Sequence, residues 1–492
     1  MPEPDELLAG RLDGSAGRVA LIQHDRVFTR GELAGMVSRF AGGLQRELTR
    51  GDLLALWLPN GPELLALILA CFRTGIVPMP LPPGLKWPEL RQILSRALAT
   101  GMAASATAVG QNAAELARLV GKLWLVPTGG VGATTLTGPA MVRTPPGADP
   151  DALELVLHTS GSSGPPKGVK LSHESIRHLL AYRLTCTGLG PDSVSVVASC
   201  LSQSVGLYQS LALLAARATI VLLDDYDLEP LATAVDRYRP THLIMVVGAF
   251  DRLLHHPRIT ARSLADCSFA IAGADRLTPR VQERFRALTG RPLRASYGLT
   301  ESSWALINDG HRSDKCLALG RLSPDVAIRL LDPHGHPVAP GEVGEIHIRS
   351  PRNLLGYLHD EESTRAVLAA GWLATGDLAY EDPEGDFWFA GRSKDLIVLA
   401  SGDNVSPAEI EQALLSHPAV AGCVVTGSSA AGSEVPWAFV TRAREISGEA
   451  LRDFLRERLS DYKVPARIEF VTELPVGLSG KIQRRTLGRR SA

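Results

Sequence analysis

The sequence predicts an α/β fold, followed at its C-terminal end by a smaller α+β domain. Short apolar strands alternate with helical patterns from about residue 17 to residue 300, and such alternation is typical of a parallel sheet covered by helices. Residues 318–390 have a different pattern, because short predicted strands follow one another there with turns between them. Residues 397–492 return to a mixture of strands and helices.

Composition excludes several classes of protein. The 492 residues suggest about three folding units, and a hydrophobic fraction of 45% is enough for full globular cores. A formal net charge of −1 gives no indication of a nucleic-acid or membrane partner. The six cysteines are scattered without a CxxC pair, which favours a reducing, cytoplasmic location over a disulfide framework or a zinc site. The acidic N-terminus does not resemble a signal peptide, and apolar runs such as 64–72 are too short to cross a bilayer.

Capping residues and periodicity place the first elements. Thr29 can cap a helix that runs through Gln45, and Pro62 can open a second helix that ends near Gly75. Residues 101–150 are rich in Ala, Thr and Gly and predict little. Strands are predicted at 19–22, 52–58, 77–81, 153–157, 194–198, 219–223, 241–247 and 269–275, and helices at 172–187 and from about 249.

The most informative stretch is a run of small residues after the strand predicted at 153–157. Such a run can curl its backbone amides around an anion, and Lys167 supplies a cation beyond it. A Walker A loop is excluded, because Pro166 precedes the lysine and Gly168 follows it. A plain turn would explain Gly-Ser-Ser-Gly alone but not the whole run with Pro-Lys-Gly. We therefore interpret it as a phosphate-binding loop, made of Thr159, Ser160, Gly161, Ser162, Ser163, Gly164 and Lys167.

Residues 159–168, Thr-Ser-Gly-Ser-Ser-Gly-Pro-Pro-Lys-Gly, resemble the phosphate-loop signature of the adenylate-forming superfamily. That superfamily includes acyl-CoA synthetases, the adenylation domains of peptide synthetases, and luciferases. The resemblance extends from about residue 15 to residue 487. It implies an N-terminal AMP-binding domain over 1–390, made of two doubly wound α/β subdomains and a small β-barrel-like subdomain at about 318–390. A hinge at 391–396 and a mobile α+β domain at 397–492 would follow.

A second motif, Tyr-Gly-Leu-Thr-Glu at 297–301, resembles the family's Tyr-Gly-x-Thr-Glu. The Tyr297 ring can stack on adenine, Thr300 can donate to a phosphate, and Glu301 can hold Mg²⁺ as a hard oxygen ligand. Alone, the motif would more often be a strand end, but its position after the phosphate loop favours a nucleotide site. The same predicted site includes Gly273, Ala274, Asp275, Ser296 and Gly298.

The sequence predicts the acid pocket less clearly than the nucleotide site. In the family, the segment 200–207 borders this pocket, and many members have proline and histidine or an aromatic residue where this chain has Cys200 and Gln203. A buried glutamine is more often a satisfied core amide than a ligand, so both roles stay open for Gln203. The candidate pocket residues are Gln203, Ser204, Val247, Gly248, Ser296 and Ser302.

Three further motifs complete the nucleotide site and predict a moving domain. The resemblance implies that Asp377, in Thr-Gly-Asp, accepts from the ribose hydroxyls, that Arg392 lies at the ribose, and that Lys394 is the hinge. Lys481, in Leu-Ser-Gly-Lys, corresponds to the family's mobile-loop lysine, which neutralises charge as the pentavalent phosphorus forms. The turn at Ser401 has one glycine where many members have two, so the thiol tunnel that it lines can differ.

The five motifs in this order imply an ATP-dependent, acid-activating ligase. A small-molecule acid would attack the α-phosphate of ATP to give an acyl-adenylate and pyrophosphate, with Mg²⁺ bound and with Lys167, Glu301 and Lys481 as catalytic residues. The thiol of CoA, or of a separate carrier protein's phosphopantetheine arm, would then accept the acyl group.

Two alternatives stay open. The acceptor of the adenylate can be an amine, as in amide- or nitrogen–nitrogen-forming relatives of secondary metabolism. A non-catalytic protein on the same scaffold is disfavoured, because the charged residues at the chemical positions are all present. They are Lys167, Glu301, Asp377, Arg392 and Lys481.

Overall fold

The computed structural model describes residues 16–127, 152–159, 166–275, 277–310, 312–399, 404–430, 433–475 and 487. Over these residues the chain has the predicted α/β fold, with a large N-terminal domain and a small C-terminal one. Mostly parallel sheets carry the helices, and one antiparallel sheet lies in the strand-rich part after residue 318. Among the described residues, no helix is long and apolar enough to cross a bilayer.

The N-terminal region combines a hairpin, a capped helix and a parallel sheet. Its elements are β1 (Val19–Gln23), β2 (Arg26–Thr29), α1 (Arg30–Glu47), β3 (Leu53–Trp57), α2 (Pro62–Thr74), β4 (Val77–Pro80), α3 (Trp87–Ala97), β5 (Gly101–Ser105), α4 (Ala106–Val109), α5 (Ala113–Val120) and β6 (Leu123–Val126). Thr29 caps α1 as predicted, since its hydroxyl accepts from the Glu32 amide and the Glu32 carboxylate accepts from the Thr29 amide. Gly75 ends α2 with a φ of +71°, a conformation that favours glycine.

Strands β3 to β6 form a four-stranded parallel sheet in the order β4-β3-β5-β6. The sequence predicted β3 and β4 but little in residues 101–150, where the structure has β5, α4, α5 and β6. Strand β5 is Gly-Met-Ala-Ala-Ser and fully buried. Because it lacks β-branched residues and alternation, it carries none of the usual signs of a strand.

The central sheet has nine strands in the order β15-β14-β13-β12-β11-β9-β10-β1-β2. Strands from β13 to β1 are parallel to their neighbours, whereas the strands at both edges are antiparallel. The helix predicted from about residue 249 starts at Val247, two residues earlier. This part comprises β7 (Leu153–Thr159), β8 (Lys167–Ser172), α6 (His173–Thr187), β9 (Val194–Val197), α7 (Ser204–Ala215), β10 (Thr219–Leu222), α8 (Leu228–Tyr238), β11 (His242–Val246), α9 (Val247–Leu254), β12 (Phe269–Gly273), α10 (Pro279–Thr289), β13 (Arg294–Leu299), β14 (Ser303–Asn308) and β15 (Arg321–Leu322).

The strand-rich part after residue 318 forms a five-stranded antiparallel sheet in the order β16-β17-β20-β19, with β21 paired to β20. Its elements are β16 (Ala327–Leu331), β17 (Gly344–Arg349), β18 (Gly356–Tyr357), α11 (Glu361–Val367), β19 (Leu368–Ala369), β20 (Trp372–Glu381) and β21 (Phe387–Arg392). Strand β18 does not join this sheet. It pairs with β8 and so completes a three-stranded sheet, β18-β8-β7, that the sequence did not predict.

The C-terminal domain packs helices on a three-stranded sheet, β24-β25-β26. Its elements are β22 (Ile397–Val398), β23 (Asn404–Val405), α12 (Pro407–Leu415), β24 (Val420–Ala430), β25 (Ser433–Arg442), α13 (Gly448–Arg456) and β26 (Arg467–Phe470). These elements confirm the predicted mixture of strands and helices, and Ile410, Leu414, Val440, Leu451 and Leu455 form part of a separate buried cluster.

Candidate active site

The predicted nucleotide residues follow the carboxyl ends of neighbouring parallel strands of the central sheet. Gly273 ends β12, Tyr297 and Gly298 lie at the end of β13, and Val247 follows β11. Residues at this edge are brought together, since a Cβ on Gly273 would lie 2.8 Å from Oγ of Ser296. This edge is where ligands bind in open α/β sheets.

The predicted acid-pocket segment contacts the second motif directly. Oγ1 of Thr300 donates to Oγ of Ser204 at 3.3 Å, and the hydroxyl of Tyr208 donates to the carbonyl of Thr300 at 3.4 Å. Gly206 packs so closely on the preceding turn that a Cβ would lie 2.5 Å from the carbonyl oxygens of Ser199 and Cys200. Helix α7 therefore holds the pocket segment against the end of β13.

Asp377 is almost fully buried, with 1% of its surface exposed, and both of its oxygens are engaged. Oδ1 lies 2.8 Å from Nε of Arg392, its cross-strand partner on β21, and Oδ2 accepts from the Tyr297 hydroxyl at 2.9 Å. Burial and the Asp377 carboxylate raise the pKa of Tyr297 well above its usual value, so the phenol stays a donor. Three predicted residues, taken from two sheets, thus meet in one contact.

A second cluster joins the phosphate-loop lysine to the glutamate of the second motif. Nζ of Lys167 lies 4.9 Å from the centre of the Tyr357 ring and donates to Oγ of Ser363 at 2.8 Å. The hydroxyl of Tyr357 donates to Oε1 of Glu301 at 3.2 Å. Burial and Glu301 raise the pKa of Tyr357 above its usual value, so its hydroxyl remains protonated and donates to the carboxylate.

Sequence reasoning missed Tyr357 and Ser363, although the residue types of Gly356 and Asp360 are typical of a turn and of a helix start. Gly356 has a φ of +141°, and its missing Cβ leaves room for the Thr364 side chain. Asp360 then caps helix α11 by accepting from the Ser363 amide, which is an ordinary helix-start signal. Both mark an ordered turn that presents Tyr357 and Ser363 to Lys167.

Strands β7 and β8 flank the predicted phosphate loop, and Thr159 pairs with Lys167 at the end of this hairpin. One residue earlier, His158 is paired with Gly168, and its Nδ1 is buried without a hydrogen-bond partner in the part of the chain that the structure describes. Burial lowers the pKa of His158 to about 4, so its ring is neutral at physiological pH.

The remaining predicted residues are of two kinds, those that the structure describes and those outside the described residues. Ala274, Asp275 and Gly248 are exposed, Gln203 is partly buried, and Ser302 is fully buried. Lys394 is exposed in a short 3₁₀ turn, Ser393–Asp395, directly after β21. Ser160, Gly161, Ser162, Ser163, Gly164, Ser401 and Lys481 lie outside the described residues.

The chain is similar to known proteins over nearly its whole length. The model of the AMP-binding enzyme family matches residues 9–358, and that of the AMP-binding enzyme C-terminal domain matches residues 409–481. A feruloyl-CoA synthase from Amycolatopsis sp is 33% identical over 470 residues, which cover 94% of each chain. ATP-bound MatB from Rhodopseudomonas palustris superposes with a TM-score of 0.90, at 26% identity over 99% of both chains. The amide bond synthetase McbA from Marinactinospora thermotolerans gives 0.87, at 27% identity over 100% of both.

Proposed function

The chain belongs to the AMP-binding enzyme family and is an adenylate-forming ligase, and on this premise we propose that it activates a small-molecule acid with Mg-ATP and passes the acyl group to the thiol of CoA. The observation that carries the proposal is the cluster around Tyr357. Tyr357 contacts a cation, Lys167, through its ring and a carboxylate, Glu301, through its hydroxyl, and the two residues come from distant parts of the chain.

The reaction has two balanced halves. A carboxylate oxygen of the acid attacks the α-phosphorus of ATP, the bond from that phosphorus to the pyrophosphate oxygen breaks, and an acyl-adenylate forms. The thiol sulfur then attacks the acyl carbon, the bond from that carbon to the AMP oxygen breaks, and the thiol proton is released to solvent. No redox partner is needed for either half.

The chain's own residues bind and orient the nucleotide in this proposal. Lys167, the first residue of β8, faces the phosphates, where a fixed positive charge stabilises the charge that develops at phosphorus. Arg392 and Asp377 lie at the ribose, and Tyr297 at the base. Because Asp377 is held by two partners, its orientation needs no adjustment when the nucleotide enters.

Glu301 suits a magnesium ion by its chemistry. It offers carboxylate oxygens on a partly buried turn, and the Tyr357 hydroxyl fixes one of them. Magnesium is usually held by one or two carboxylates together with substrate phosphates, and it neutralises phosphate charge when bound. Within the described residues no group of three or more His, Cys, Asp or Glu side chains forms a protein-only cage, which suits that mode.

The C-terminal domain supplies the second part of the proposal. Residues 1–390 form the AMP-binding domain, 391–396 the hinge around Lys394, and 397–492 the mobile domain that carries Lys481. The 3₁₀ turn at Ser393–Asp395 supports a pivot there, because an exposed turn can change its backbone angles without disturbing a core. We also propose a cytoplasmic location, which suits six cysteines that form no disulfide.

An amine acceptor is the second candidate. It is favoured by the likeness to the amide bond synthetase and by Gln203 and Ser401, which depart from the family pattern. A carrier-protein thiol would also satisfy the chemistry of the second half-reaction.

Pyrophosphate release from ATP, measured across aryl, fatty and dicarboxylic acids with and without CoA, tests the proposal. An acid-dependent signal that rises with CoA supports a CoA ligase, whereas a signal indifferent to CoA but raised by amines or a carrier protein supports another acceptor. Glu301→Ala should weaken the use of Mg-ATP without unfolding the protein, with exposed Glu283→Ala as the matched control. Unchanged Mg²⁺ dependence in Glu301→Ala would make Glu301 a structural residue.

A further inference from the structure

One buried arginine lies behind the proposed acid pocket without a counter-ion. Arg183, on helix α6, has 3% of its surface exposed, and its Nε and Nη1 make no hydrogen bond within the described residues. No carboxylate of the described part of the chain pairs with it either. The helical period assigns this position to the buried face that Ile176, Leu179 and Leu180 also occupy.

Aromatic faces surround the Arg183 guanidinium. Its Cζ lies 3.8 Å from the centre of the Trp304 ring and 5.7 Å from that of Tyr208. Burial lowers the pKa of Arg183 to about 10, so the group is still a cation at neutral pH. The titratable groups that act on it are Tyr182, Cys186, Tyr208 and Arg352, none of which is a carboxylate.

The same two rings border the reacting end of the site. Tyr208 donates to the carbonyl of Thr300, whose hydroxyl donates to Ser204 of the pocket segment. Trp304 pairs with Gly298 of the second motif and follows Glu301 by three residues. Arg183 therefore lies one side chain away from the proposed pocket.

Elsewhere the other buried cations of the described residues have hydrogen-bond acceptors: Nη2 of Arg30 donates to the carbonyl of Ala218, and Nη2 of Arg352 donates to that of Pro324. Lys315 has 7% of its surface exposed, and its Nζ lies within 2.7–3.1 Å of three carboxylates, those of Asp382, Glu384 and Asp386. A buried charge without a partner is costly, and cation–π contacts with two rings recover only part of that cost. An anion supplied by the ligand would complete the Arg183 site in the way that the carboxylates complete that of Lys315.

We propose that the acid carries a second anionic group, a carboxylate, sulfonate or phosphate, at the end away from the carboxylate that is adenylated, and that Arg183 binds this group. The inference rests on the proposed function and specifies its substrate class. It predicts discrimination between acids of the same size that differ in the charge of the far end, because a neutral end would leave the guanidinium buried and unpaired.

Matched pairs of acids test the inference, with pyrophosphate release as the readout: succinate against butyrate, terephthalate against 4-methylbenzoate, and 4-sulfobenzoate against 4-methylbenzoate. The wild type should favour a doubly anionic member over its partner by at least about 10-fold in kcat/KM. Arg183→Met should lower kcat/KM for that member by about 30- to 100-fold, mainly through KM, and should change it for the neutral partner by less than about 3-fold. Arg183→Lys keeps the positive charge and should retain part of the preference for the doubly anionic acid.

Arg237→Met, the same change at an exposed arginine of helix α8, is the control and should leave every ratio unchanged. A wild type that prefers the neutral member of every pair would overturn the inference even if Arg183→Met does not fold. So would an Arg183→Met enzyme with unaltered ratios, and in both cases the proposed function would stand. If no acid raises pyrophosphate release above the acid-free background, the proposed function fails together with the inference.

Discussion

The hydroxyl of Tyr297 donates a 2.9 Å hydrogen bond to Oδ2 of Asp377 and thereby joins two sheets. Tyr297 lies on β13 of the nine-stranded sheet, and Asp377 lies on β20 of the antiparallel sheet. The contact is buried on both sides, with 8% of Tyr297 and 1% of Asp377 exposed. It fixes the relative position of a proposed adenine contact and a proposed ribose contact.

Removal of that hydroxyl should therefore cost stability. In Tyr297→Phe, Oδ2 of Asp377 loses its donor in a buried place, and we expect the free energy of unfolding to fall by about 1–3 kcal/mol. Urea unfolding measures the change. Tyr238→Phe is the control, because the Tyr238 hydroxyl makes no hydrogen bond within the described residues. Equal stability of the two variants would mean that the Tyr297 contact contributes nothing.

The Tyr357 hydroxyl should matter for magnesium rather than for folding. Tyr357→Phe keeps the ring beneath Lys167 but removes the donor that orients Glu301, and loss of such supporting contacts typically weakens metal binding 10- to 100-fold. We expect the Mg²⁺ concentration for half-maximal pyrophosphate release to rise by about 10-fold or more. The Mg²⁺ titration of Tyr238→Phe should match that of the wild type. A wild-type titration in Tyr357→Phe would contradict this role.

Lys481 should act in only one half-reaction. Lys481→Ala should abolish formation of the acyl-adenylate, because charge at the α-phosphorus would lose its neutralising cation, but should spare the reaction of a supplied acyl-adenylate with CoA. Separate assays of pyrophosphate release and of thioester formation measure the two halves. Lys122→Ala, at a lysine that bonds to Glu47, is the control. Equal loss in both assays would refute the assignment.

His158 should make the protein less stable in mild acid. Its folded pKa of about 4 lies below the ordinary value of about 6.5, so the unfolded state takes up a proton first as the pH falls. The contribution of neutral His158 to the free energy of unfolding is complete above pH 6.5. It declines by about 2–4 kcal/mol as the pH falls toward 4. Urea unfolding at several pH values should give a shallower decline for His158→Gln than for the wild type. The exposed control His359→Gln should follow the wild type, and identical slopes for all three proteins would contradict the prediction.

A methyl group on Gly206 should disturb the acid pocket. In Gly206→Ala the new Cβ would meet the carbonyl oxygens of Ser199 and Cys200 at 2.5 Å, and overpacking of this kind costs about 1–3 kcal/mol. The displaced segment carries Gln203 and Ser204, so KM for the acid should rise more than KM for ATP. Gly190→Ala is the control, since no atom lies within 4 Å of its Cβ position. Equal changes in both KM values would place the effect outside the pocket.

The sequence could suggest the proposed nucleotide residues because they belong to contiguous motifs at strand ends. Parallel strands bring their carboxyl ends to one edge, so Gly273 and Ser296 meet although no local pattern links them. The capped start of α1 at Thr29 was predicted for a similar reason, since a capping box is a contact between near neighbours. Where contacts between near neighbours decide the local structure, the sequence alone is enough to predict it.

Contacts between distant segments could not be predicted. Tyr357 meets Glu301 and Lys167 through a strand of two residues, too short to give a periodic signal. Within the described residues, Arg183 likewise has no carboxylate partner because of the way α6 packs on α7 and β14. No pattern in one helix predicts that packing. Strand β5 was missed because tertiary burial, rather than propensity, makes it a strand.

The pairing of β18 with β8 has a consequence for how the chain reaches its native state. Strand β8 lies between β7 and β18, but β18 is made about 190 residues later, so a nascent or truncated chain that ends before Gly356 leaves the edge of β8 open. Open strand edges are templates for intermolecular pairing. Fragments of the N-terminal domain that stop short of this strand should therefore aggregate, and those that include it should remain dispersed.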